Sequence, residues 1–136
     1  MPIRLRHVGT VATDFAHRLA QTIGADKVLY PALPGSVGHE FWKRDFTGSS
    51  GLLTLKLDVP DKERTDAALN GLATFSIGAS WGGTRSLVAP MSLTGERSVS
   101  AYNPDSLYLR VSIGLEEPAE LWRDLVGFLD LVDGHP

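Results

Sequence analysis

One arginine and one glycine-rich turn carry the chemistry that stands out in this sequence. Arg110 lies within Leu107-Tyr108-Leu109-Arg110-Val111-Ser112-Ile113-Gly114-Leu115-Glu116, and Gly78-Ala79-Ser80-Trp81-Gly82-Gly83 comes before it. Leu107, Leu109, Val111 and Ile113 alternate with Tyr108, Arg110, Ser112 and Gly114, the period-2 pattern of a strand with one buried face. Arg110 is therefore expected to point away from the core. A guanidinium fixed at mid-strand has little freedom left to lose on binding, and its planar fork matches a carboxylate with two parallel hydrogen bonds. The turn is expected to supply facing backbone donors, so the two segments read as two walls of a site for a small carboxylate.

Competing motifs are weaker. Gly78-Ala79-Ser80-Trp81-Gly82 fits G-x-S-x-G, the strand-to-helix elbow that exposes a nucleophilic serine. A helix should follow, yet the chain runs within a few residues to Pro90, and the only histidine after Ser80 is His135, next to the chain end. Asp105, Asp124, Asp130 and Asp133 would serve equally as a third triad member, so a serine esterase using Ser80 is a minor alternative. His39-Glu40-Phe41-Trp42-Lys43 begins like H-E-x-x-H but has Lys43 where the second zinc ligand belongs. Gly48-Ser49-Ser50-Gly51 lacks a P-loop lysine and leads into a strand, so it reads as a turn. Trp42 and Trp122 read as packing residues, whereas Trp81, between Ser80 and two glycines, has the surroundings of a site.

The elements that must position these residues follow from periodicity. Val8, Val11, Ala12, Phe15, Leu19 and Ile23 form one stripe, predicting a helix over His7 to Ile23 that stops at Gly24. Tyr30 to Gly35, with two prolines, is expected to be an ordered loop, followed by a helical turn near Gly38 to Phe46. Leu53, Leu55 and Leu57 predict a strand, and Pro60 is expected to open a short helix ending at Asn70-Gly71. Ala73 to Ile77 and Leu87 to Ala89 predict brief strands, the second stopped by Pro90, and a loop with Asn103-Pro104 precedes the Arg110 strand. Pro118 starts a last helix with the stripe Leu121, Leu125, Phe128 or Leu129, and Val132. The sum is a single α+β domain over residues 1–136, a small mixed, largely antiparallel sheet covered by helices on one face.

Composition limits the function classes. At 136 residues with 43% hydrophobic and 21% charged content, the chain is ordinary for one globular domain. A net charge of -3 with scattered basic residues argues against nucleic acid or anionic membrane as partner. The absence of cysteine removes disulfides and thiolate metal sites and agrees with a cytoplasmic location. No apolar run approaches the roughly 20 residues of a membrane-spanning helix.

Four segments in order, Pro31-Ala32-Leu33-Pro34-Gly35, Gly38 to Leu52, Ser80-Trp81-Gly82-Gly83 and Arg110 to Glu116, resemble the carboxy-terminal domain of the cystathionine β-lyases. These are fold type I, pyridoxal 5′-phosphate-dependent enzymes of Cys/Met metabolism, and the resemblance runs nearly the whole chain. Trp81 favours the β-lyases over γ-synthase and γ-lyase relatives, which commonly carry leucine there. The resemblance implies that Arg110 holds the substrate α-carboxylate, that Ser80 and Trp81 line the same site, and that the activity is cleavage of the carbon–sulfur bond of cystathionine to homocysteine, pyruvate and ammonia.

Departures narrow what is carried over. Ala79 replaces a usual tyrosine and Thr84-Arg85 a more typical Tyr-Glu pair, which bears on substrate preference. In the family the Schiff-base lysine and the other cofactor-binding residues belong to a preceding large domain, and the lysine follows a Ser/Thr-rich stretch. Lys27, Lys43, Lys56 and Lys62 follow Asp26, Trp42, Leu55 and Asp61, and none resembles it. The expectation is a chain with no catalytic, cofactor-binding or metal-binding residue of its own, inactive alone, with an apolar face toward the large domain. That face implies a homodimer, formed by exchange of the first helix. The alternative from another class is a free-standing, non-catalytic domain that binds amino acids or another chain through Arg110.

Overall fold

The computed structural model describes residues 2–58, 61–93 and 106–133. Pro60, the Asn103-Pro104 loop, Asp105 and His135, on which expectations above rest, lie outside these residues. The elements in chain order are α1 (Pro2–Ile23), β1 (Val28–Leu29), α2 (His39–Asp45), β2 (Leu52–Leu57), α3 (Lys62–Asn70), β3 (Ser76–Ile77), β4 (Leu87–Met91), β5 (Leu107–Ser112) and α4 (Pro118–Asp133).

Five strands form one sheet in the order β1-β2-β5-β4-β3. All pairings are antiparallel except β3 with β4. Alternation decides the two faces. Leu53, Leu55 and Leu57 of β2, Leu109 and Val111 of β5, and Val88 of β4 join the buried stripes of α1, α3 and α4 in one apolar cluster. Thr54, Lys56, Tyr108, Arg110 and Ser112 occupy the opposite face, as a side-chain period of two requires. The expected α+β domain, with a mixed and mainly antiparallel sheet under one helical layer, is the fold observed.

The first helix is one and a half turns longer than its stripe, beginning at Pro2, a residue suited to the first helical position. Ile3 and Leu5 in that added stretch are 82% and 50% exposed, so no stripe announced them. The last helix starts at Pro118 as expected and buries Leu121, Leu125, Phe128, Leu129 and Val132. Aspartate, not proline, begins α3: Asp61 caps it by accepting a hydrogen bond from the Arg64 N–H at 3.0 Å.

Three strands differ from expectation. Val28-Leu29 pairs with Leu55 and Thr54, a strand too short for its periodicity to show. Between Ala73 and Ile77 only Ser76 and Ile77 pair as a strand, because the N–H groups of Ala73, Thr74 and Phe75 are taken by the Asp124 carboxylate at 2.6 to 3.1 Å. Strand β4 continues through Pro90. The Ser86 and Val88 carbonyls accept from Ser76 and Gly78, so backbone groups at even positions of β4 face β3. At Pro90 that side lies past the end of β3, where a missing N–H breaks no ladder bond.

Candidate functional site

Strand β5 carries Arg110 on the face opposite the core, paired with Thr54 on one side and Ala89 on the other. Its side chain is half-buried and reaches across β4 toward the turn that follows β3. One terminal nitrogen, Nη2, donates to the Ala79 carbonyl and, at 3.3 Å, to the Ser80 carbonyl. The guanidinium carbon lies 4.8 Å from the centre of the Trp81 ring, within cation–π range. Arg110, Ser80 and Trp81 are therefore brought together. Anchoring through Nη2 leaves Nε and Nη1 without a hydrogen-bond acceptor among the described residues, and the tether fixes the plane of the guanidinium in advance.

The turn does not present itself as expected. Facing Arg110 it offers carbonyl acceptors from Ala79 and Ser80, and the Gly82 N–H turns inward to the Ser112 hydroxyl at 3.3 Å. Gly82 has φ 76°, a left-handed conformation that disfavours side chains, which explains the first glycine after Trp81. Trp81 is 59% exposed, unlike Trp42 and Trp122, which pack against the core. Arg4 of α1 donates to the Gly82 carbonyl at 3.2 Å, and Arg85 Nε donates to the Ser76 hydroxyl at 2.8 Å.

Behind the turn lies a group of residues that the sequence did not single out. Glu116 accepts from the Ser86 N–H at 2.8 Å through one oxygen and from the Ser86 hydroxyl at 2.6 Å through the other. That hydroxyl accepts from the Gly114 N–H at 2.7 Å, and Leu115 N–H donates to the Thr84 carbonyl at 2.8 Å. Gly114 is obligatory here, since a Cβ would stand 2.4 Å from the Thr84 carbonyl oxygen and 2.6 Å from the Ser86 nitrogen. Partial burial pushes the Glu116 carboxyl up, but the two bonds from Ser86, the Glu116 N–H and nearby Arg85 outweigh it, and the group is held below the usual carboxylate range.

The elbow of a serine hydrolase is not formed. After Gly78 and Ser80 the chain bends through residues 81–85 into β4 rather than into a helix, and no hydrogen bond joins Ser80 to His7, His17 or His39. His39 instead bonds the Pro31 carbonyl at 2.8 Å. Among the described residues no three histidines and carboxylates cluster as a metal site.

Two clefts lie elsewhere. One of about 950 Å³ runs along α1 past Leu5, Gly9, Thr13 and His17 to Phe46 and Ser49, and one of about 360 Å³ adjoins it at Phe46 and Ser49 beside Val37 and Phe41. Val37, Phe41 and Phe46 are 99%, 64% and 63% exposed.

With this geometry in hand, comparison places the chain. Residues 1–129 match the family model described as Cys/Met metabolism PLP-dependent enzyme. The chain belongs to that family. Among its relatives, the Escherichia coli K12 cystathionine β-lyase is 38% identical over 135 residues, 96% of this chain and 34% of the relative. The Wolbachia pipientis wMel L-alanine/L-glutamate racemase is 38% identical over 122 residues, 88% of this chain and 30% of the relative. The chain thus spans about a third of the length of these relatives. The fold is shared with a cystathionine γ-synthase of Xanthomonas oryzae pv. oryzae in complex with cystathionine, at TM-score 0.74 and 23% identity over 99% of this chain and 36% of that one. Among the described residues no helix is long and apolar enough to cross a membrane.

The family's cofactor is bound through a lysine amine in the resemblance drawn above, and the lysines here do not fit that task. Lys27 and Lys62 are paired with Asp58 and Asp66, at 2.9 and 2.5 Å. Lys43 lies exposed on α2, and Lys56 sits on β2, on the side of β5 away from the turn.

Proposed function

We propose that this chain is the part of a PLP-dependent carbon–sulfur lyase that grips the substrate α-carboxylate, with Arg110 as the gripping residue and Ser80 and Trp81 as lining. The observation that carries the proposal is the guanidinium tethered by Nη2 to the turn and lying over Trp81. Gripping the α-carboxylate end fixes the orientation of the amino acid, so that the bonds at its α-carbon meet the reacting groups at a constant angle. The proposed substrate is cystathionine, split to homocysteine, pyruvate and ammonia within methionine metabolism. The Ser80-Trp81-Gly82-Gly83 run and the cystathionine β-lyase relatives support that choice. The racemase relative fits the same frame, because an α-carboxylate is common to both substrates.

The chain acts as one domain, residues 1–136, and does no chemistry alone. Pyridoxal phosphate, the electron sink of the family, is held by the polypeptide that also supplies the amine. The exposed Leu5, Val37, Phe41 and Phe46, which line two adjoining clefts, form the face toward that polypeptide, and without it two copies of this chain cover the face by dimerising. Location in the cytoplasm follows from the same metabolic role.

Calorimetric titration with L-cystathionine tests the site. Binding to the wild-type chain, weakened roughly thirtyfold in Arg110→Ala, is expected for a charge-assisted pair of about 2 kcal/mol. Equal affinity in both would refute Arg110 as the grip. Pyruvate release with added pyridoxal phosphate should be absent for the chain alone. It should appear on mixing with the segment of the E. coli relative that precedes the matched region. Cystathionine binding without any such rescue would favour the free-standing amino-acid-binding domain.

A further inference from the structure

We propose that Glu116 is a positioning residue for the Arg110 site: acting through Ser86, its carboxylate holds the turn from Ser80 to Arg85 so that the turn's carbonyls meet Arg110 and Trp81 lies on the guanidinium. The functional consequence rests on the carboxylate grip proposed above, but the positioning itself does not.

The argument starts from the ends of the turn. Its first carbonyls, Ala79 and Ser80, are bonded by Arg110, which draws them toward β5. Its middle is held at Gly82 by Ser112 and Arg4, and its far end must be fixed as well for residues 83–85 to keep their course. Ser86 is that end, with its side chain fully buried. Both donors of Ser86 go to the two oxygens of Glu116, and its hydroxyl oxygen takes the Gly114 N–H, four residues past Arg110. One serine is therefore tied at once to the carboxylate and to the backbone that continues β5.

The donor count makes the ionised carboxylate necessary. The Ser86 hydroxyl has one proton, given to Glu116, and one lone pair occupied by Gly114. Glutamine can replace one acceptor oxygen but puts an N–H₂ at the other position, facing either the Ser86 N–H or its hydroxyl. One Ser86 donor then loses its partner, inside a site with no room to relax because the Thr84 oxygen and Ser86 nitrogen already crowd Gly114. Substitution at Glu116 thus acts at a distance, by loosening the turn that orients Arg110.

The test reads Trp81 directly. The full chain labelled with 5-fluorotryptophan gives one fluorine resonance per tryptophan, and Trp81→Phe assigns the one at issue. Arg110→Ala, which removes the stacked cation, sets the full scale of displacement. Glu116→Gln and Ser86→Ala should each move the Trp81 resonance by at least half that scale, and the double variant should move it by less than the sum of the two, since both act on the contact between Ser86 and Glu116. Val132→Ala, a cavity in α4 on the other side of the sheet, should lower the melting temperature and leave the resonance in place, which separates positioning from general loss of stability. If Ser86→Ala does not fold, Glu116→Gln decides alone. An unmoved Trp81 resonance in Glu116→Gln overturns the proposal. The grip is read separately: a moved resonance with no cystathionine binding by the wild-type chain sinks the carboxylate site and leaves the positioning intact, whereas both holding predicts about tenfold weaker binding in Glu116→Gln.

Discussion

Strand β5 serves two regions of the molecule with alternate residues. Leu109, Val111 and Ile113 are at most 2% exposed and pack with the helical layer, while Arg110 and Ser112 on the other face are joined to the glycine-rich turn. The first set stabilises by removing apolar area from water, which is insensitive to direction, and the second works only if donors and acceptors meet at hydrogen-bond geometry. Damage should therefore divide cleanly: odd positions set how much protein is folded, and even positions set what the folded protein binds.

The strongest attempt to break this division is Leu109→Ala. Removal of a fully buried leucine from a close-packed core should cost about 3 kcal/mol, read as a lower urea midpoint with unchanged slope. Cystathionine affinity per folded molecule should be retained, and its loss would mean that the two faces are not independent. Arg110→Ala is the converse. Its binding loss of about 2 kcal/mol should come with a stability change of about 1 kcal/mol, the net worth of its bonds to the Ala79 and Ser80 carbonyls and well below that of Leu109→Ala. A stability loss as large as that of Leu109→Ala would make the arginine a structural residue.

The same division explains what could be seen in the sequence. Alternation at Leu107 to Ile113 and the stripes of α1 and α4 were legible because one buried face imposes a period on neighbouring residues. Arg110 was legible as a consequence, since it falls between two core positions. Contacts that join distant segments leave no such trace. Asp124 looks like one more acid on the polar side of a helix, and nothing near it says that three N–H groups some fifty residues earlier will converge on it. Glu116 was visible as part of the motif but not as the partner of Ser86. Pro90 was read as a stop because its tolerance depends on where β3 ends, a fact of topology. The direction of the turn's backbone groups was likewise beyond the sequence, for two glycines permit either face to turn inward.

Asp124 tests whether the lead-in to the turn belongs with the core or with the site. Asp124→Ala leaves the Ala73, Thr74 and Phe75 N–H groups without their acceptor, an expected loss of about 1–2 kcal/mol with faster amide exchange at Thr74 and Phe75. Because Phe75 is buried in the core cluster, the loss should appear in the urea midpoint. A change in cystathionine binding without one would assign the segment to the site instead.

The smallest effect concerns protons. Glu116 is held below the usual carboxylate range, so the unfolded chain takes up a proton at a higher pH than the folded one. The sign follows: the stability it contributes is complete above the ordinary carboxylate range and is lost as pH falls through the lower folded value. Wild type should therefore lose more stability on acidification than Glu116→Gln, so that a gap between them near neutral pH narrows in acid. The comparison is best made by urea unfolding at matched salt, because Arg85 is the charged neighbour that contributes to the shift and its field is screened. Parallel loss in the two proteins would mean that Glu116 is not held ionised by Ser86, and that the turn is fixed by its bonds to Arg110, Ser112, Arg4 and Leu115 instead.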